Sequence, residues 1–128
     1  MGKGSKAKMK TIHFNAYFDH MLSKIKLTRD NGQQEYAHDE DNVFANFDRV
    51  ANCLDISPEK AIMVYLLKHI DGISAYIQGH KSQRENVSGR ITDAIVYLFL
   101  LWAMIDGEKD LKAIKEPVLK NGQVESML

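Results

Sequence analysis

The chain is poor in the residues from which most recognisable active sites are built. It has one cysteine, Cys53, in 128 residues, which excludes an internal disulfide and any paired-cysteine zinc site. Cys53 lies among apolar helix positions and is expected to pack in the core as a small hydrophobe. Only two prolines occur, Pro58 and Pro117. With no strand–turn–strand alternation beside them, the chain reads as all-α. Neither sign of charge is in excess, Lys plus Arg and Asp plus Glu both numbering 17. A neutral domain argues against a broad phosphate-tracking groove, so nucleic acid is not the expected partner, while a small anionic ligand stays open. No glycine-rich phosphate loop follows a strand, since Gly2-Lys3-Gly4 sits in a lysine-rich leader. The serines lack the strand–turn–helix elbow of a hydrolase nucleophile. With no apolar segment near Met1, a reducing cytoplasm is the expected compartment, without a membrane partner.

What the chain does have is Arg90 to Ile105, RITDAIVYLFLLWAMI, with twelve uncharged residues in a row from Ala94. Twelve is short of the roughly 20 apolar residues that cross a bilayer as a helix. A buried strand of such composition usually runs for about 4 to 8 residues, so a helix in the middle of a bundle is favoured. Asp93 stands one residue ahead of the run. Burying a lone carboxylate is costly, so Asp93 is either paired internally, to Arg90 or Lys68, or used.

Around this stretch the pattern gives a basic leader over 1–10, a helical domain over 11–107 and a tail over 108–128. The first helix is expected from Thr11 to about Leu27, burying Phe14, Phe18, Met21, Leu22 and Ile25. His13 and His20 are seven apart, too far for two ligands of one metal on a helix. Thr28 to Glu40 reads as a long polar loop around Asn31-Gly32, either functional or a solvated crossover. Asp41 is the expected N-cap of a second helix to about Leu54, burying Val43, Phe44, Phe47, Val50, Ala51 and Leu54. Ser57 caps and Pro58 opens a third helix, which Gly79 ends. In it Met63, Leu66, Ile70, Ile73 and Ile77 step by three and four as a bundle seam. Lys68, His69 and Asp71 lie beside that seam, and Lys68 and Asp71 are close enough to pair. Ser82 to Glu85 is a capping box for the fourth helix, with Gly107 as its stop. There Asn86, Arg90, Asp93 and Tyr97 share a polar stripe, and Gly89 fits close approach of a neighbour or a ligand.

The order Glu35-Tyr36-Ala37, Asn46-Phe47, Lys68-His69, Asp93, Tyr97 resembles the nucleotide modification associated domain found often in phages. That family is grouped with the MazG-like all-α nucleoside triphosphate pyrophosphatases, and the likeness covers roughly Asn31 to Asp106. It implies a four-helix bundle that is dimeric or higher and works in a host cytoplasm. It also implies magnesium-dependent cleavage of a nucleoside triphosphate to monophosphate and pyrophosphate. Asp93 matches the last acid of the superfamily's second metal-binding pair. Arg90 stands where that pair has Glu, and Lys68-His69-Ile70-Asp71 supplies one acid where two are expected. On this reading Asp93 with Asp71 or Glu85 holds Mg2+, and Lys68 and Arg90 neutralise phosphate charge. Tyr36 or Phe47 covers the base, and Asn46, His69 and Tyr97 complete the nucleotide site. The incomplete acid pairs equally suit a binding protein that sequesters a nucleotide or cyclic nucleotide without cleaving it. A helical dimerisation module, with the stripe as an ion-pair network, is the third reading.

Overall fold

The computed structural model describes residues 8–37, 41–82 and 84–121, with side chains at 36, 37 and 116–121 left aside. Among the described residues every regular element is helical: α1 Thr11–Gly32, a π-helical turn Gln33–Ala37, α2 Ala45–Leu54, α3 Pro58–Ile77 and α4 Val87–Asn121. The all-α reading holds, and the boundaries move in instructive ways.

Two expected stops do not stop their helices. α1 continues through Asn31-Gly32 for 22 residues and then widens, the Gln33 N–H donating to the carbonyls of both Arg29 and Asp30. A polar, exposed segment is as compatible with a solvated helix as with a loop, so turn chemistry alone could not decide. The expected loop is therefore helical as far as Ala37, and His38, Asp39 and Glu40 lie outside the described residues. α4 runs through Gly107 for 35 residues in all. Glycine stops a helix only where it turns left-handed. Gly79 does so after α3, with φ at 109°.

Two expected caps are supplied by neighbours. Asn42, not Asp41, prepares α2: its Oδ1 accepts from the Phe44 N–H at 3.0 Å, and its Nδ2 donates to Asp48 Oδ2 at 2.9 Å. Asn86, not Ser82, opens α4, its Oδ1 accepting from the Gly89 N–H at 2.6 Å. Ser57 does cap α3, accepting from the Lys60 N–H at 3.2 Å, and α2 ends at Asp55 in the left-handed region.

α3 and α4 form the centre of the molecule. Tyr65 faces Tyr97, His69 faces Asp93 and Gly72 faces Arg90. As one number rises the other falls by the same step, which fixes an antiparallel hairpin. At Gly72 an added Cβ would meet the Arg90 side chain at 2.5 Å, so the missing side chain lets the guanidinium lie across α3. α2 packs on α3, and α1 on α4.

The core is small. Phe47, Ala51, Ala61, Ile62, Leu66, Ala94 and Val96 are buried, and α1 buries nothing fully. Phe14 and Phe18, expected inside, are about half exposed. Leu54 and Cys53, expected inside, are exposed too, at the end of an α2 that is only ten residues long. The α3 seam divides. Leu66 is buried, Ile73 partly so, while Met63, Ile70 and Ile77 face solvent. Over Val87–Lys115, α4 is long and apolar enough to cross a membrane, because the uncharged run sits within a much longer helix.

Candidate functional site

A cleft of ≈ 380 Å³ opens between α1, α2 and the α3–α4 hairpin, within the size range of small-molecule sites. The helical period brings its walls together. Asn46 and Arg49 are one turn apart on α2, Lys68 and His69 follow Tyr65 by one turn on α3, and Asp93, Val96, Tyr97 and Leu100 cover two turns of one face of α4. α1 and the π-helical turn close one side with Thr28, Arg29, Gly32 and Gln33.

The back wall is aromatic. Phe47 meets Tyr65 and Tyr97 edge-on, with centroids 5.7 and 6.0 Å apart, and the two tyrosines lie 6.1 Å from each other. Such edge contacts add about 0.5 to 1.5 kcal/mol per pair beyond burial. Phe47 is only 3% exposed, so it braces the rings from behind, leaving Tyr65 and Tyr97 as the partly open faces. His69 continues the wall, 5.6 Å from Tyr97.

His69 and Asp93 form the polar floor. Nε2 of His69 stands 3.7 Å from Asp93 Oδ2, within ion-pair reach and too long for a direct hydrogen bond. His69 is 5% exposed, and its Nδ1 is buried without a hydrogen-bond partner among the described residues. An unpaired buried nitrogen costs about 1 to 3 kcal/mol, a sign that this histidine is not there for packing alone. Burial holds the Asp93 carboxyl above its ordinary value of 3.8; His69 opposes the shift, Glu85 adds to it and Lys68 opposes it.

A folded carboxyl that keeps its proton to higher pH favours the folded state fully below 3.8. That benefit is lost as pH rises through the raised value, so at pH 7 the ionised group costs stability. Asp93→Asn is therefore expected to melt at or above the parent at pH 7, with the difference closing as pH falls through the carboxylate range. Paired melting curves at several pH values check this. A variant several degrees less stable at pH 7 would make Asp93 a structural ion-pair partner instead.

Of the residues singled out from the sequence, Asn46, Phe47, Lys68, His69, Glu85, Asp93 and Tyr97 line this cleft. Arg90 and Asp71 do not. Arg90 is drawn to Glu85 at 3.3 Å and across Gly72. Asp71 is exposed on α3 and makes no ion pair with Lys68 among the described residues, since it points away from the hairpin. The Tyr36 side chain lies outside the described residues. His69 stands within ion-pair reach of Asp93 because it is its opposite number in the hairpin register, and Lys68 acts on the same carboxyl through its charge.

Arg49 and Tyr65 also line the cleft and were not picked out as its members, though both carried a usable signal, standing three residues after Asn46 and before Lys68. Arg29, one of the ligand-type groups of the polar stretch Thr28 to Glu40, lines it as well, on α1 rather than on a loop.

Magnesium commonly uses one or two carboxylates together with phosphate oxygens and water. Asp93 and Glu85 offer that minimum, and both line the cleft. No group of three or more His, Cys, Asp or Glu side chains able to hold a metal gathers among the described residues. In comparisons with known proteins, no family model, no curated protein and no solved structure matches this chain.

Proposed function

We propose that the cleft binds a nucleotide. The carrying observation is that two partly open tyrosine rings and three cationic side chains, Arg29, Arg49 and Lys68, line one cavity of nucleotide size. A base stacks on Tyr65 and Tyr97, and the phosphates turn toward the cations, which complement them by charge-assisted hydrogen bonds. Buried His69 and half-buried Asp93 offer polar contacts at the floor, where an amide or amino edge of the base or the ribose would be read. The resemblance to the phage-type nucleotide modification associated domain, and through it to a MazG-like bundle in a host cytoplasm, supports the same ligand class.

A second reading keeps the pyrophosphohydrolase chemistry. It is favoured by Asp93 and Glu85 lining the same cavity, with Glu85 helping to raise the Asp93 carboxyl. In that reading Asp93 and Glu85 would hold Mg2+, which supplies Lewis acidity at the phosphates when bound. Lys68 and Arg29 would hold the phosphate chain, and Tyr65 and Tyr97 the base.

One experiment separates the two. The protein is incubated with a panel of nucleoside triphosphates and cyclic nucleotides, with and without magnesium, and both melting temperature and products are read. Stabilisation by a nucleotide recovered intact fits the binding reading. Release of monophosphate and pyrophosphate that requires magnesium and is lost in Asp93→Asn fits the enzyme. A panel that neither stabilises the protein nor is cleaved at millimolar concentration overturns both.

A further inference from the structure

The cleft is polarised along the hairpin. Tyr65 and His69 are four residues apart on α3, and Tyr97 and Asp93 are four apart on α4. The antiparallel register sets the tyrosines opposite each other, 6.1 Å between centroids, and His69 Nε2 3.7 Å from Asp93 Oδ2. Four residues of helix rise about 6 Å, so a polar layer lies one turn beyond an aromatic one. A flat ring system resting on either tyrosine therefore presents an edge to the His69–Asp93 pair. The direction of a nucleotide is fixed by charge: the Asp93 carboxylate repels phosphate, while Arg29, Arg49 and Lys68 attract it. The base goes in first.

What that edge meets is an ordered set of groups. An ionised carboxylate only accepts hydrogen bonds, and its two oxygens stand side by side. The Asp93 side chain is 38% exposed, and no hydrogen bond from the described residues reaches its carboxylate. His69 Nε2 faces that carboxylate and so carries the ring proton, which the buried Nδ1 has no partner to claim among the described residues. The pair thus offers one donor and then two acceptors. Guanine is its complement, with O6 accepting and N1–H and N2–H2 donating. Adenine and cytosine put a ring lone pair beside their amino group. Uracil and thymine flank one N–H with two carbonyls. Each of these sets a lone pair against the carboxylate.

We propose that His69 and Asp93 make the cleft selective for guanine, the carboxylate accepting from N1–H and N2–H2 and the imidazole donating to O6. This selectivity rests on the nucleotide reading above, and it gives Asp93 a base-reading role in place of a magnesium-binding one. Burial already disfavours the ionised carboxyl. Two N–H donors restore solvation that the cleft has removed, which makes them worth more here than in water. A base that leaves the carboxylate unpaired in the filled cleft loses that gain and keeps the cost.

Titration calorimetry on the whole chain compares guanosine, inosine and adenosine, each as the 5′-triphosphate and as the 3′,5′-cyclic monophosphate. EDTA is present throughout, so no metal bridges ligand and carboxylate. Within each series the phosphates are identical, and the affinity ratio reports the base alone. Guanosine is expected to bind about thirtyfold more tightly than adenosine. Inosine, which lacks only the N2 amino group, is expected to bind about tenfold more weakly than guanosine. In Asp93→Asn the amide offers one acceptor and one donor, which suit N6–H2 and N1 of adenine. The guanosine preference is then expected to fall to within about threefold. That variant is expected to melt at or above the parent at pH 7, so a lost ratio is not a lost fold. Equal binding of guanosine and adenosine by the parent overturns the inference and leaves the nucleotide reading standing. A guanosine preference undiminished in Asp93→Asn overturns it too, because some other group then reads the base. No binding in either series at millimolar concentration overturns the inference and the nucleotide reading together.

Discussion

Phe47→Ala is expected to lower stability by about 3 to 5 kcal/mol, a drop of roughly 10 to 20 °C in melting temperature. Phe47 is 3% exposed and touches both tyrosines edge-on, so its removal opens a cavity where α2, α3 and α4 meet. Few other large side chains are fully inside this small core. The loss is larger than for most single substitutions. It should come with weaker nucleotide stabilisation, since Tyr65 and Tyr97 lose the ring that holds them upright. Phe47→Leu refills most of the volume and is expected to recover much of the stability while the edge contacts stay lost. Urea denaturation at one fixed protein concentration, read by circular dichroism, measures both. A cost under 1 kcal/mol for the alanine variant would mean that Phe47 is not the keystone of the aromatic wall.

Lys68→Glu is expected to do the opposite: leave stability nearly unchanged and remove ligand affinity. Lys68 is exposed, and surface charge changes of this kind usually shift stability by less than about 0.5 kcal/mol. At the cleft the same change replaces an attraction for phosphate with a repulsion, expected to cost about 3 kcal/mol of binding, on the order of a hundredfold in Kd. The effect should shrink in high salt, because an open cleft is screened. Titration calorimetry with the tightest nucleotide of the panel, at two salt concentrations, reads it. Equal affinity in parent and variant would move the phosphates away from Lys68 and toward Arg29 and Arg49, or out of the cleft.

These two substitutions divide the site as the physics does. Phe47 and its rings form a wall whose order comes from burial, and Lys68 is a charge at the mouth whose value comes from a ligand. Asp93 falls between, being partly buried and disfavoured when ionised, which is the mark of a group kept for use rather than for stability. The unpartnered Nδ1 of His69 points the same way.

The helical class and the opening of α3 at Ser57-Pro58 were legible in the sequence because they depend on neighbours one turn away. The gathering of Lys68, His69, Asp93 and Tyr97 in one region was legible too, since their spacing fixes faces on two helices. The expected burial of Ala94 to Ile105 is not met, since Leu98, Phe99, Trp102 and Ile105 are exposed and only Ala94 and Val96 of the run are buried. What could not be read were the pairings across helices. The sequence offered Arg90 and Lys68 as partners for Asp93, but the hairpin register puts His69 there and sends Arg90 over Gly72 to Glu85. It could not show that α1 would continue past Leu27 and bring Arg29 to the cleft, because an exposed polar stretch has no local preference strong enough to decide. Nor could periodicity say which apolar face the chain itself would cover. A stripe of Met63, Leu67 and Ile70 announces only that something apolar should lie against it, and burial is a property of whichever surface arrives.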